Sequence, residues 1–209
     1  MARLAEEARG GDPVAMANYG TALHLEGHRE PARAWLLRAW DAGNAGAGFN
    51  LGTLYLMAGD TNQAHLIWQR AARLGDADAM LGLVRLALGR DDPATALDWS
   101  GRILAQDETF PITALGVAFR DHGDETRAVH AFERATEMGD PYAMDYLAEL
   151  LERRGGTRRA TELRASAARA RAAEEASGEE AGSEGTGGEE AGGDGPADRR
   201  ADPDGSGQG

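Results

Sequence analysis

The stretch Gly139-Asp140-Pro141-Tyr142-Ala143-Met144 decides the fold, because similar phrases occur twice earlier in the chain. Residues 11–16 read GDPVAM and residues 75–80 read GDADAM. The three copies are equally spaced, and halving their interval reveals a shorter unit. Starts at residues 11, 43, 75, 107 and 139 define five copies of 32 residues. Internal repetition at such a period is typical of a solenoid.

Three columns of residues keep this register through the units. Alanine occupies the first column in every unit, at Ala32, Ala64, Ala96, Ala128 and Ala160. Large apolar residues form the second, at Tyr19, Leu51, Leu83, Leu115 and Leu147. Glycine forms the third, at Gly27, Gly59, Gly123 and Gly155, with Gly89 displaced by two positions. The alanines predict sites where paired helices approach too closely for a larger side chain.

Each unit is predicted to form two helices. In the second unit, apolar residues recur at helical spacing over residues 49–57, and a second helical run follows over residues 63–74. The glycine column lies between the two runs, where a left-handed residue closes the first helix. In the phrase GDP, glycine ends one helix, aspartate caps the next and proline occupies its first turn. The phrase therefore has a structural role, and no chemistry is assigned to it.

Further helix caps are predicted at Asp92, Asp124 and Thr157, at the start of the second helix in the third, fourth and fifth units. Two units depart from the common pattern. The third unit has Val84 where glycine is expected, Ala87 where an aromatic residue is expected and Ser100 where phenylalanine is expected. The fourth unit opens with DETFP at residues 107–111, which predicts that its first helix starts late or bends.

The units resemble tetratricopeptide repeats and their Sel1-like relatives, whose signature is W-x2-L-G-x2-Y followed by A-x3-F. The second unit contains Leu51-Gly52-x2-Tyr55 and Ala64-x3-Trp68, and the fourth contains Leu115-Gly116-x2-Phe119 and Ala128-x3-Phe132. The leading tryptophan of the signature is absent from all five units. The resemblance covers about residues 11–168. It implies an all-α, right-handed solenoid of about five helix-turn-helix repeats and leaves the choice between the two subfamilies open.

Three regions follow from this pattern. Residues 1–10 are predicted to form a partial capping helix, and residues 11–171 a repeat domain that ends in its own capping helix. Stacked repeats need such a polar end. Residues 172–209 are predicted to be a disordered acidic tail rich in Gly and Glu. The tail carries eleven acidic residues and two arginines, a net −9 that leaves −4 of the total −13 for the rest of the chain.

Composition narrows the classes of function. All 22 basic residues are arginine. Codon usage in a GC-rich genome is favoured as the explanation over a need for forked carboxylate contacts. No stretch has the basic stripe that nucleic acid binding requires. The apolar runs are too short to cross a bilayer, and the N-terminus lacks the apolar run of a secretory signal. We therefore expect a cytoplasmic protein that binds neither nucleic acid nor membranes. The absence of cysteine excludes disulfides and thiolate metal sites.

A catalytic or metal site is not expected. His24 and His28 are four residues apart, but Gly27 lies between them and the H-E-x-x-H order of a metalloprotease is absent. The stretch GNAGAG at residues 43–48 occupies a repeat junction and is only superficially similar to a phosphate-binding loop. No nucleophile, base and acid follow from spacing. The sequence predicts no enzyme activity and no cofactor.

The resemblance implies a concave groove, lined by the first helix of each unit, that binds a peptide or a partner protein. Its implied lining residues are Thr21, His24, Phe49, Asn50, Thr53, Met57, Leu81, Arg85, Thr113, Val117 and Arg120. Some tetratricopeptide domains grip a C-terminal carboxylate with a clamp of Lys, Asn and Arg. Only Asn50 occupies a matching position here, so no such clamp is expected. The leading hypothesis is a protein-interaction module, and the alternative is a structural protein that forms homo-oligomers through exposed repeat ends.

Overall fold

A computed structural model describes the backbone of residues 1–184 and the side chains of residues 1–176. Within residues 1–184 all regular secondary structure is helical. The helices are α1 (Ala2–Arg9), α2 (Pro13–Leu25), α3 (Arg29–Asp41), α4 (Ala45–Met57), α5 (Thr61–Arg73), α6 (Ala77–Leu88), α7 (Pro93–Leu104), α8 (Thr109–Asp121), α9 (Glu125–Glu137), α10 (Pro141–Arg153) and α11 (Thr157–Glu184).

The helices begin in strict register with the repeat. The first helix of each unit starts at residue 13, 45, 77, 109 or 141, and the second starts at residue 29, 61, 93, 125 or 157. This regularity confirms the two-helix unit. The expectation that the fourth unit's first helix starts late is wrong, because α8 begins at Thr109 in the common register. Its N-cap, Glu108, accepts no hydrogen bond through its side chain, so packing rather than capping holds this end.

Neighbouring helices pack in pairs, and the pairs stack. The two helices of each of the first four units contact each other, and each second helix contacts the first helix of the following unit. The first helices α2, α4, α6 and α8 also contact one another in order. Residues Met1–Arg171 form one compact unit, and this arrangement confirms an all-α solenoid.

The alanine column lies in the centre of this stack. Its five members, Ala32, Ala64, Ala96, Ala128 and Ala160, are at most 1% exposed. Four of them, Ala32, Ala64, Ala96 and Ala128, belong to one buried cluster of aliphatic and aromatic side chains. This burial supports the predicted close approach of the paired helices at the column.

The helix junctions have the predicted chemistry. Gly139 has φ of 92°, and its N–H and that of Asp140 donate to the carbonyls of Thr136 and Ala135 at 3.0 Å each. This pair of bonds is a Schellman motif, which only a left-handed residue closes well. The Asp140 carboxylate then accepts from the N–H groups of Tyr142 and Ala143 at the start of α10.

The third unit closes its first helix with a different residue. Gly89 has an ordinary helical φ of −66°, and Asp91 occupies the left-handed position with φ of 55°. The N–H groups of Asp91 and Asp92 donate to the carbonyls of Leu88 and Ala87, as the glycine and its successor do elsewhere. The displaced glycine therefore leaves the turn intact, and an aspartate adopts the unfavourable conformation instead.

Helix α11 differs from its prediction at both ends. Thr157 is its first residue rather than its cap, whereas Asp92 and Asp124 cap α7 and α9 as predicted. The helix continues to Glu184, past the boundary predicted after residue 171. The remainder of the predicted disordered tail, residues 185–209, lies outside the described residues. The division into a capping helix, a repeat domain and a tail therefore stays a prediction.

Candidate binding face

The first helices α2, α4, α6, α8 and α10 present one side of the stack, which we call the first-helix face. Its predicted lining residues occupy three kinds of environment. Met57 and Arg85 are exposed, most of the others are half-buried, and Leu81 and Thr113 are buried at 5% and 7% exposure. The prediction that the last two line an open surface is therefore wrong for their side chains.

The two polar residues nearest the N-terminus hold successive units together. Thr21 donates its hydroxyl to the carbonyl of Ala17 at 2.9 Å, and its Oγ1 accepts a bond from Nδ2 of Asn50 at 3.1 Å. This bond joins α2 to α4. Asn50 is therefore already engaged by a neighbouring helix, which leaves it less free to hold a ligand carboxylate.

Phe49 is half-buried and continues the core toward the first-helix face. Its ring stacks on that of Trp68, with centroids 6.2 Å apart and planes at 20°. Its carbonyl accepts two bonds at 3.0 Å, one from the hydroxyl of Thr53 and one from Nε1 of Trp68. Phe49 and Thr53 are thus fixed in place and expose only part of their surface.

The ends of α2 and α4 each expose large apolar side chains, which we call together the N-terminal apolar patch. It consists of Leu25, Leu56 and Met57, which are 81%, 40% and 51% exposed. Leu25 and Met57 hold the same position in successive units. Only Met57 of the three belongs to the predicted lining set.

His24 precedes this patch, in the last turn of α2. Its Nδ1 is buried and has no hydrogen-bond partner among the described residues. His28 lies beyond Gly27, as the N-cap residue of α3. The two histidines therefore lie on opposite sides of a helix junction. The described residues contain no group of three or more His, Cys, Asp or Glu suited to a metal ion.

The middle of the first-helix face carries opposed charges. Burial raises the pKa of Asp78, the carboxylate of Glu108 raises it further, and exposed Arg85 opposes the change. Burial is also the largest cause of the raised pKa of Asp76, which caps α6. This region therefore combines two carboxyl groups of raised pKa, Asp76 and Asp78, with the exposed side chain of Arg85.

Thr113 has a structural role in place of the predicted binding role. Its hydroxyl donates to Oδ2 of Asp140 at 2.7 Å, and both side chains are 7% exposed. Asp140 also caps α10 through its other carboxylate oxygen. The last GDP phrase is therefore bonded to the preceding unit as well as to its own helix.

Arg120 is held against α10. Its guanidinium carbon lies 5.0 Å from the centroid of the Tyr146 ring, and Nε and Nη2 donate to Asp121 Oδ1 at 3.1 and 3.0 Å. Val117, one turn earlier, is half-buried against the core. The fourth unit thus presents a restrained arginine beside a partly covered apolar side chain.

Two exposed aromatic residues escaped the sequence prediction. Phe110 and Tyr142, which we call the C-terminal aromatic pair, are 70% and 63% exposed. They are the fourth residues of the fourth and fifth units, and Val14, 56% exposed, holds that position in the first. Comparing this column across units would have found them. Arg171 of α11 lies 5.5 Å from the centroid of the Tyr142 ring and leaves most of the side chain accessible.

No protein-family model matches the chain, and no curated protein matches it. Solved structures do. A crystal structure of MamA aligns with a TM-score of 0.53 at 19% identity, over 74% of this chain and 95% of that one. A Sel1 repeat protein from Oxalobacter formigenes aligns with a TM-score of 0.57 at 25% identity, over 76% of this chain and 73% of that one.

A third similar structure is c5321, described as a protective antigen of uropathogenic Escherichia coli that displays an SLR fold. Its TM-score is 0.55 at 21% identity, over 79% of this chain and 43% of that one. Together with the helix register, these likenesses show the fold. It is that of the tetratricopeptide and Sel1-like helical repeats, as the sequence resemblance implied.

Proposed function

We propose that the chain is a protein-interaction module whose first-helix face forms a groove for a peptide or partner protein. The observation that carries the proposal is the exposure of large apolar side chains on first helices at both ends of the stack. The N-terminal apolar patch lies on α2 and α4, and the C-terminal aromatic pair lies on α8 and α10. Aromatic and methionine side chains are enriched in protein interfaces, and contiguous exposed apolar surface is uncommon unless it binds something.

The charged residues in the middle of the first-helix face favour a ligand that itself carries a charged group. Asp78 and Glu108 flank this region, and Arg85 is their accessible counter-charge. A ligand with apolar anchors at two places and a basic group between them would complement the face. Buried apolar anchors contribute most of the affinity in such interfaces, whereas charges at the rim set selectivity and association rate.

The test compares two variants of the intact chain that carry equal charge changes. Met57→Glu/Phe110→Glu alters the first-helix face, and Leu66→Glu/Leu97→Glu alters exposed leucines of α5 and α7. These leucines are 58% and 46% exposed. Proteins that co-purify from the native host are identified by quantitative mass spectrometry, and circular dichroism verifies that both variants fold.

We expect a partner to be lost from the first variant and retained by the second. If both variants retain the partner equally, the proposal of a binding groove on the first-helix face is wrong. The self-assembly alternative is measured in the same preparations by light scattering. If the intact chain is oligomeric and only Met57→Glu/Phe110→Glu dissociates, the occupant of the face is a second copy of the chain.

Several sequence predictions belong to this proposal and stay predictions. They are a cytoplasmic location, no enzyme activity, no nucleic acid or membrane partner, and the disordered tail at residues 172–209. In the part of the chain that the structure describes, no helix is both long and apolar enough to cross a bilayer.

A further inference from the structure

A column of arginines follows the repeat on the other side of the stack. Arg38, Arg70, Arg102 and Arg134 are spaced by one unit and lie in the last turns of α3, α5, α7 and α9. Cations in the last helical turn interact favourably with the helix dipole. This general preference explains a basic residue in the last turn of each helix. It does not explain the tryptophan contacts that three of these arginines make.

Three of the four guanidinium groups stack on tryptophan. Arg38 lies 4.3 Å from the ring centroid of Trp35, and Arg102 lies 4.6 Å from that of Trp99. Arg70 crosses between units and lies 4.8 Å from the ring centroid of Trp40 on α3. Each guanidinium is thereby held over a ring that packs into the stack.

Charge pairing differs along the column. Arg134 has Glu137 at 3.9 Å, and Arg102 has Asp98 at 3.3 Å. Arg38 and Arg70 have no ion-pair partner among the described residues and make only the ring contacts. Unbalanced positive charge therefore concentrates on α3 and α5, at the N-terminal side of the column.

A cleft of about 420 Å³ separates α5 from α7 within this region. Arg73 and Arg102 line it, together with Trp99, Gln69 and Asp98. One arginine of α5 and one of α7 therefore line the opening, and Arg70 lies three residues before Arg73 on the same helix. We call Arg38, Arg70, Arg73 and Arg102 the arginine face.

We propose that the arginine face binds an acidic segment of a partner protein, with its carboxylates seated on successive repeats. A guanidinium presents a planar fork of donors that matches a carboxylate. Stacking on tryptophan reduces the conformational entropy that Arg38, Arg70 and Arg102 lose on binding. The cleft supplies a recess for a side-chain carboxylate between two of the forks.

Charge favours a sparsely charged acidic peptide over nucleic acid. The whole chain carries a formal charge of −13, so a polyanion with one charge per nucleotide meets strong long-range repulsion. The site is also limited to four arginines with Asp98 beside them. This surface uses helices α3, α5 and α7, so it is separate from the groove proposed on the first helices.

The test uses the full chain and a fluorescein-labelled Gly/Ser-rich peptide with glutamate at regular intervals. A matched peptide carries glutamine in place of glutamate. The variant Arg70→Gln/Arg102→Gln removes two members of the face, and Arg158→Gln/Arg169→Gln removes the same charge from exposed positions on α11. Fluorescence anisotropy gives Kd at low and physiological salt, and thermal melts confirm that each variant is folded.

We expect Arg70→Gln/Arg102→Gln to weaken binding by about tenfold or more and the α11 control by less than about twofold. Arg70→Lys/Arg102→Lys keeps the charge but loses the fork, so it is expected to fall between them. Met57→Glu/Phe110→Glu is expected to bind the glutamate peptide as the intact chain does, which separates this proposal from the groove.

Four results would overturn the proposal. They are no measurable binding of the glutamate peptide, equal binding of the glutamine peptide, equal losses in the face and α11 variants, and tighter binding of a single-stranded oligonucleotide that is lost with Arg70 and Arg102.

Discussion

The indole of Trp68 lies against the backbone of Gly52, so closely that a Cβ at Gly52 would be 2.3 Å from Nε1. Real Cβ atoms do not approach other atoms to this distance. The same ring faces the next unit, where a Cβ at Gly82 would be 3.0 Å from Cδ2. One tryptophan therefore fills the space left by two glycines on successive first helices.

This contact predicts the effect of the smallest substitution. Gly52→Ala forces the ring of Trp68 out of its place and breaks its bond to the Phe49 carbonyl. We expect a loss of about 1–3 kcal/mol in the free energy of unfolding, as for other overpacked cores. Urea denaturation monitored by tryptophan fluorescence measures it.

Gly101→Ala is the matched control, because Gly101 also lies inside a helix and nothing lies within 4 Å of the place its Cβ would occupy. There the higher helix propensity of alanine is expected to add roughly 0.5–1 kcal/mol. If both substitutions stabilise the chain, the close packing at Gly52 is not a constraint.

In the third unit, we expect a larger side chain on the first helix to compensate for a smaller one on the second helix. The glycine in the first helix meets the large side chain sixteen residues later at Gly20–Leu36, Gly52–Trp68 and Gly116–Phe132. At the same positions the third unit has Val84 and Ser100, which are 0% and 4% exposed. The valine therefore occupies the space that the aromatic ring fills in its neighbours.

A double-mutant cycle tests this exchange. Val84→Gly leaves a cavity and is expected to cost about 2–4 kcal/mol. Ser100→Phe overpacks the same place and is expected to cost about 1–3 kcal/mol. The double variant should be more stable than the sum predicts, with a coupling of about 1–3 kcal/mol from denaturant titrations. Additive effects would show that the two residues pack independently.

Ala96 lies in the alanine column of the same unit and is 1% exposed. Ala96→Leu adds three carbon atoms where the paired helices leave no space, so we expect a destabilisation of roughly 1–3 kcal/mol. Thermal melts by circular dichroism provide the measurement. Exposed Ala94→Leu on the same helix is the control, and an unchanged melting temperature for Ala96→Leu would contradict the close packing of this column.

Asp91 carries backbone strain that glycine would relieve. Its φ of 55° lies in the left-handed region, where glycine has no Cβ clash. Asp91→Gly is expected to raise the free energy of unfolding by up to about 1 kcal/mol. The reverse change, Gly59→Asp at φ of 84°, should lower it by about the same amount. Equal stability of the two variants and the parent would exclude this explanation.

Asp76 makes stability depend on pH. Its folded pKa is raised by burial, with Asp78 and Glu108 adding to the effect against the bond from Ala79. Between the ordinary value of 3.8 and this raised value, the folded chain holds a proton that the unfolded chain releases. That contribution to stability is therefore lost as the pH rises through this window.

Asp76→Asn removes the titration and keeps a good helix cap. The variant should gain stability relative to the parent at neutral pH, and the gain should shrink as the pH falls through the folded pKa. Denaturant titrations at several pH values measure the difference. Asp60→Asn, a cap in an exposed position, is the control, and parallel pH profiles for Asp76→Asn and the parent would contradict the prediction.

The sequence predicted the fold well because the repeated positions hold residues that are compatible with few local structures. A glycine at a left-handed position, an aspartate cap and an invariant small residue each permit little else, so their columns placed the helices correctly. The late start of α8 was predicted from the opening residues DETFP of the fourth unit, and it is wrong because α8 begins at Thr109. Pro111 and Ile112 are buried within that helix, and their burial keeps it in register.

The candidate site was less predictable, because helical phase identifies a face but not which side chains cover one another. Thr113 has the helical phase of the predicted groove, yet its side chain is buried and its hydroxyl is bonded to the cap of the following helix. Phe110 and Tyr142 are exposed because they lie at the first turns of α8 and α10. In the arginine face, the contact of Arg70 with Trp40 joins two units, so it has no signal within a single unit.

The junctions give the stack an adjustable length. From Gly11 to Gly155, Asp91 and eight glycines supply a left-handed residue at nine of the ten helix junctions in the described residues, and the junction between α7 and α8 has none. A gene could therefore add or delete whole units at the junctions that share this turn and keep the turn in place. Tryptophan restricts two of these boundaries, because Trp40 lies against Gly48 of the second unit and Trp68 lies against Gly82 of the third. A cut between the second and third units would separate the Trp68 ring from Gly82, and the new neighbour would need an equally small residue at that place.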